Sequence, residues 1–211
     1  STWRRGPGTS GREVIGGIVS HIISNLRYQQ DSYRPLPVSE PEDVIDDIIR
    51  QWQSERPDLD ATPIAVFGRI TRTYKLKQTH LRSLLGQFQL TPATFDVLAN
   101  LRRSGQGARK TAGDLAKSSL LSTGGTTFRL DRLEERHLIR RVISENDRRV
   151  TYVELTNDGS ALIDTVMAAH LAQESELLTG LDPAEVKELG RLLQRLERSI
   201  NAWGVASETG P

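Results

Sequence analysis

Residues 140–156 read RRVISENDRRVTYVELT, and four of them are arginines. Arg140-Arg141 and Arg148-Arg149 bracket a short acidic, turn-prone segment centred on Glu145-Asn146-Asp147, and an alternating run follows. The pattern is that of a hairpin whose second strand puts Thr151, Val153 and Leu155 on one face and Tyr152 and Glu154 on the other. An arginine at such a tip can enter the DNA minor groove, where a narrow A/T tract concentrates negative potential. Asp147 can orient that arginine, Arg148 or Arg149, through a charge-assisted bidentate pair. A solvated loop of surface ion pairs is the competing reading of the same residues. What stands ahead of the hairpin decides between them.

Ahead of it, TAGDLAKS (111–118) reads as a short helix, with Thr111 and Asp114 at capping-box spacing. After a turn, STGGTTFRLDRLEER (122–136) reads as a second helix that buries Leu130 and Leu133. The pair is a helix-turn-helix, and a hairpin directly behind one is a wing. A recognition helix presents its first residues to base edges in the major groove. Here these are Ser122, Thr123, Thr126 and Thr127, small hydroxyl residues able to bond bases or phosphates; Arg132 joins the same DNA-facing set. Gly124 and Gly125 each cost roughly 1 kcal/mol against Ala in a helix, and close backbone approach to DNA would compensate.

The elements that must position these groups are mostly helical. Val14, Ile15, Ile18, Val19, Ile22, Ile23 and Leu26 form one apolar stripe, predicting an amphipathic helix over 12–30. RPLPVSEP breaks it, and Ser39 with Glu42 has capping-box spacing for a helix carrying Val44, Ile45, Ile48, Ile49 and Trp52. A long helix is expected over 63–87, then one capped by Thr91-Pro92 that runs through Phe95, Leu98 and Leu101. Thr156 can cap a helix from about Asn157 to Thr179, and Asp182-Pro183-Ala184-Glu185 starts the last one. The expected organisation is a disordered 1–11, a helical extension over 12–60, and dimerisation helices over 61–90 and 157–203. These flank a winged helix-turn-helix domain over 91–156, and a flexible tail follows over 204–211.

Composition removes several classes of function. There is no cysteine, so thiol catalysis, disulfides and thiolate metal sites are excluded. His21, His80, His137 and His170 lack metal-ligand spacing, no catalytic arrangement is visible, and neither an enzyme nor a cofactor is expected. No apolar run is long enough to span a membrane and no secretory signal stands out, so a cytoplasmic protein is expected. The net charge of +1 hides an asymmetry. Residues 100–150 hold twelve basic and six acidic groups, whereas 156–211 hold four basic and nine acidic. A polyanion partner is therefore expected for the middle of the chain alone.

Taken together, TPATFDVLANL, TAGDLAKSSLLSTGGTTFRLDRLEERHLIRRV, DRRVTYVELTNDG and LDPAEVKELGRLLQRLE resemble the MarR family of bacterial winged-helix transcription regulators over about 42–203. The resemblance implies a mostly α (α+β) fold and a homodimer on a pseudo-palindromic DNA operator, with repression relieved by a small effector. It favours Arg149 as the inserted arginine, Asp147 as its partner and Arg148 on the DNA backbone.

IIRQWQSERPDLDATPIAVFGRI further resembles the branch of urate-responsive and pectinase or virulence regulators. That branch implies a ligand constellation at Trp52, Asp96, Arg129 and Arg141. Arginine forks, a carboxylate acceptor and an indole suit a planar aromatic anion, urate-like or phenolic. The bland alternative is an Asp96–Arg129 ion pair with Trp52 as core, which would leave a ligand-independent architectural DNA binder. By the same reading Arg141 faces a ligand and Arg140 faces solvent or phosphate. Two features depart from the pattern. His137 stands where the family usually has Gly, so the recognition helix is expected to end differently, and the 12–30 helix is additional.

Overall fold

The computed structural model describes residues 43–118 and 125–208, with side chains as far as residue 203. The 12–30 helix, the Ser39 cap, Ser122, Thr123 and Gly124 lie outside the described residues. In chain order the elements are α1 (Val44–Glu55), α2 (Pro63–Gln87), α3 (Pro92–Arg103), β1 (Lys110–Thr111) and α4 (Ala112–Ser118). Then come α5 (Thr126–Glu135), β2 (Ile139–Ile143), β3 (Thr151–Leu155), α6 (Asn157–Leu177) and α7 (Pro183–Glu208). The fold is mostly helical with one small antiparallel sheet of order β1-β3-β2. The chain divides into two compact units, with the boundary between Leu171 and Ala172, inside α6.

The first unit is built around α3. Thr91 caps it through a reciprocal box with Thr94, and Pro92 opens its first turn. Unlike a surface helix with one apolar stripe, α3 buries every residue from Thr94 to Leu101, including Asp96 and Asn100. Leu84 and Leu85 of α2, Leu115 of α4, Leu130 and Leu133 of α5, Ile139, Val153 and Ile163 complete the same core. Arg102 on α3 holds Asp164 on α6 through two bonds, at 2.6 and 3.1 Å, and the Phe95 ring meets His170 edge-on at 5.2 Å.

The caps show where sequence signals are competed for. Helix α1 starts at Asp43, whose carboxylate accepts from the Ile45 and Asp46 amides while Asp46 reaches back to the Asp43 amide. Asp43 thus takes the role the sequence suggested for Ser39. The Thr111–Asp114 box, the Thr156 cap on the Gly159 amide and the Asp182–Glu185 box form as expected.

The recognition helix α5 closes on a left-handed residue even though that residue is His137 (φ 56°). The expected different ending is therefore not what the structure shows. A Schellman bond from the Leu138 amide to the Leu133 carbonyl at 3.0 Å, and the Thr156 hydroxyl on the His137 carbonyl at 2.7 Å, hold that conformation against its steric cost.

In the second unit α7 runs through residue 208, well into the stretch expected as a flexible tail. Leu189, Leu192, Leu193 and Ile200 along it remain exposed.

Candidate nucleic-acid interface and cationic pocket

The hairpin is registered Ile139↔Leu155, Arg140↔Glu154, Arg141↔Val153, Val142↔Tyr152 and Ile143↔Thr151. Its tip is closed by the Ser144 amide on the Val150 carbonyl and the Val150 amide on the Asp147 carbonyl, both at 2.9 Å. Asp147 accepts from the Arg149 amide at 3.0 Å, from Nε at 3.1 Å and from Nη2 at 3.2 Å. The Arg149 side chain bond first, and its amide second, hold the Asp147 carboxyl below the usual carboxylate range. Although anchored on that side, the Arg149 side chain is 91% exposed, so its remaining donors project from the tip. A guanidinium held by its own hairpin and presented to solvent is what insertion into a narrow groove requires.

The base of the hairpin behaves differently. Arg141 Nη2 donates to Asp131 Oδ1 at 2.6 Å, and its Nη1 and amide both donate to Glu134, fastening β2 to α5. The bond to Asp131 raises the Arg141 guanidinium above its ordinary value, with Glu134 adding to the effect against partial burial. Arg140, expected to face solvent or phosphate, has a side chain that is 67% exposed and also donates its Nε to Glu154 directly across the ladder. Arg109, just ahead of β1, donates to the other Glu154 oxygen at 2.6 Å. Glu154 sits at an outward strand position, yet its side chain is 6% exposed, because two arginine stems cover it. Burial alone would push its carboxyl up; Arg109 and Arg140 outweigh burial and hold it down.

On α5, Thr126 and Thr127 occupy the first turn, and the helix cap is Gly125 in the left-handed region at φ 76°. That angle, rather than approach to DNA, is sufficient to require glycine there. Arg132 lies over the Phe128 ring at 5.9 Å. Arg129, Arg132 and Arg136 share one face and line a cavity of about 210 Å³ with Gln89, Thr91, Thr94, Phe128 and Leu133, with no carboxylate in the lining. Arg136 also closes α2, donating to the Gln89 carbonyl at 2.6 Å and the Phe88 carbonyl at 3.2 Å. Burial, then the neighbouring Arg132 charge, pushes the Arg136 guanidinium down from its ordinary value.

Of the four expected ligand residues, only Arg129 lines this cavity. Asp96 is 8% exposed on α3, a helix in contact with α5. Trp52 is 48% exposed on α1, which packs on α2. Arg141 is engaged with Asp131 and Glu134. Among the described residues no cluster of three or more His, Asp or Glu could hold a metal ion, and no helix is long and apolar enough to cross a membrane. Sequence reasoning missed Asn100, Arg109, Arg136 and Glu154. The available signals were an Asn within the apolar run VLANL and the Arg140–Glu154 register, which a hairpin alignment exposes.

The chain is similar to known proteins in sequence and in fold. The sequence pattern of the MarR family matches residues 88–150. The transcriptional regulator PecS of Dickeya dadantii is 35% identical over 156 residues, covering 74% of this chain and 94% of PecS. The chain belongs to the MarR family.

Among solved structures, this MarR-family protein is similar to a mutant of Escherichia coli MarR in complex with operator DNA. The identity is 26% and the TM-score 0.55, over 74% of this chain and 99% of that one. It is also similar to BpsR of Bordetella bronchiseptica, whose DNA binding is regulated by 6-hydroxynicotinic acid. There the identity is 27% and the TM-score 0.55, over 63% of this chain and 92% of that one. This MarR-family protein is thus a DNA-binding transcription regulator and not an enzyme.

Proposed function

We propose that the protein is a repressor that binds a pseudo-palindromic operator as a two-fold dimer, with half-sites about 10 bp apart. In this reading Ser122, Thr123, Thr126, Thr127 and Arg132 meet the major groove, Arg149 enters the minor groove with Asp147 behind it, and Arg148 meets phosphate. The observation that carries it is the Arg149 guanidinium, held by Asp147 yet 91% exposed at the tip. Dimer formation is supported by large apolar side chains left open on α2 (Phe67, Tyr74) and α7 (Leu189, Leu192). DNA as the partner places this work in the cytoplasm.

Release by a small aromatic anion is supported by the cavity that Arg129, Arg132 and Arg136 line without any carboxylate. Guanidinium forks there would take a carboxylate or urate-type oxygen, with Phe128 against the ring. An anion drawing on Arg136 would compete with the α2 carbonyls it now caps, and that would shift α5. The BpsR precedent adds 6-hydroxynicotinic acid to urate and phenolic acids as probes.

A ligand-independent DNA binder is the second reading. It is favoured by the bonds that commit Arg141 to Asp131 and Glu134. The test is to select an operator from random duplexes and titrate the complex with urate, xanthine, 6-hydroxynicotinic acid and phenolic acids. Release by one of these, lost in Arg129→Met at a residue that lines the cavity and has no part in the DNA contacts above, supports effector control. Retention of DNA throughout the panel supports the second reading.

A further inference from the structure

Asn100 lies toward the C-terminal end of α3, 1% exposed, with both its nitrogen and its oxygen engaged. Its Nδ2 donates to the Ser118 carbonyl at 3.0 Å and the Ser118 hydroxyl at 2.8 Å, and its Oδ1 accepts from Lys110 Nζ at 2.8 Å. Arg103, also on α3, donates to the same Ser118 carbonyl at 2.8 Å. The Ser118 hydroxyl in turn donates to the Asp114 carbonyl at 2.7 Å. Ser118 is the last residue of α4, and Lys110 lies in β1, which pairs with β3 of the wing. One carboxamide therefore ties α3 to the end of the first helix of the helix-turn-helix and to the sheet.

We propose that Asn100 is a positioning residue for DNA reading. It fixes where α4 ends, and so sets the seat from which the chain proceeds to the recognition helix. Packing alone gives no reason for an amide here, since an apolar residue of similar volume would fill the space without desolvating a polar group. Directional bonds define the position of the Ser118 carbonyl, whereas dispersion contacts let a helix end slide. Base readout tolerates errors of only about 0.5 Å in its supporting residues. Asp96 lies one turn earlier on the same buried helix, so a displacement of α3 would reach Ser118 through Asn100 and Arg103.

Two variants test this on the full chain, using an operator selected by the unaltered protein and a random duplex of equal length. N100D keeps an oxygen for Lys110 but turns an acceptor toward the Ser118 carbonyl. The double variant N100L/K110M removes Asn100 and Lys110 together and leaves the Ser118 carbonyl to Arg103 and the Ser118 hydroxyl to the Asp114 carbonyl, so stability can stay nearly unchanged. The expected result in each folded variant is a loss of roughly tenfold or more in operator affinity, with random-duplex affinity and salt slope unchanged. Circular dichroism confirms folding, and N100D carries the test alone if the double variant is unfolded. Operator affinity within twofold of the unaltered protein overturns the proposal. So does an equal loss on operator and random duplex, because a merely structural role would not separate the two.

Discussion

Arg141 Nη2 lies 2.6 Å from Asp131 Oδ1, and this bond joins the first strand of the wing to the recognition helix. With Glu134 on the other terminal nitrogen, the guanidinium bridges two carboxylates of α5. Arg141, 32% exposed, thus links the wing to α5. Arg141→Met keeps the stem and leaves Asp131 and Glu134 without their shared cation. Networks of this kind carry coupling energies of about 0.5–3 kcal/mol, so operator affinity should fall several-fold to a hundredfold. Fluorescence anisotropy on a labelled operator checks this, beside a thermal melt that should shift by only a few degrees.

At the tip, the bonds from Arg149 to Asp147 give the carboxylate a proposed role through Arg149 rather than on DNA. Asp147→Asn should therefore weaken operator binding and leave the salt slope of binding unchanged, because no phosphate contact is lost. Binding isotherms at several salt concentrations check this. A changed slope would mean that the carboxylate acts on the DNA field directly.

Gly159 marks the junction between wing and α6. A Cβ there would fall 1.9 Å from the Leu138 carbonyl oxygen, which already accepts from the Thr156 amide at 3.1 Å. Backbone, not a flexible side-chain end, would have to move. Gly159→Ala should cost about 3 kcal/mol, the upper part of the usual range for overpacking, and urea denaturation at constant m-value measures it.

Glu154 should make folding stability sensitive to acid. Arg109 and Arg140 hold its carboxyl in the folded protein below the ordinary value of 4.5, which the unfolded chain keeps. A depressed folded value means that the stabilisation is fully present above the unfolded value. It is lost as pH falls through the folded one. Glu154→Gln should lower stability at neutral pH and flatten its decline between about pH 5 and pH 3. Thermal melts across that range show whether the two curves converge at the acid end.

Much of this architecture was legible in the residues. Thr91, Thr111, Thr156 and Asp182 cap the helices they were expected to cap, because each carries its partner three residues on or a helix start directly behind it. The turn puts both Arg148 and Arg149 within reach of Asp147; the family resemblance favours Arg149, and that is the arginine paired with it. Glu154 was not, since alternation assigns it to an open face and only the fold brings Arg109 across from before β1. The resemblance turns Arg141 toward a ligand, and nothing local shows that Asp131 and Glu134, a helix turn apart on α5, both bond it. His137 shows the converse. Its intrinsic cost in the left-handed region is real, and the bonds at Leu138 and Thr156 that offset it are tertiary.

The central claim is that the exposed tip arginine reads DNA. Its most direct test is the affinity of Arg149→Ala for the selected operator, measured beside a thermal melt. An arginine that contacts a base edge contributes about 1–3 kcal/mol, and on that scale the variant should bind at least several-fold more weakly, with a melting midpoint close to that of the unaltered protein. Equal operator affinity in the two proteins would contradict the account.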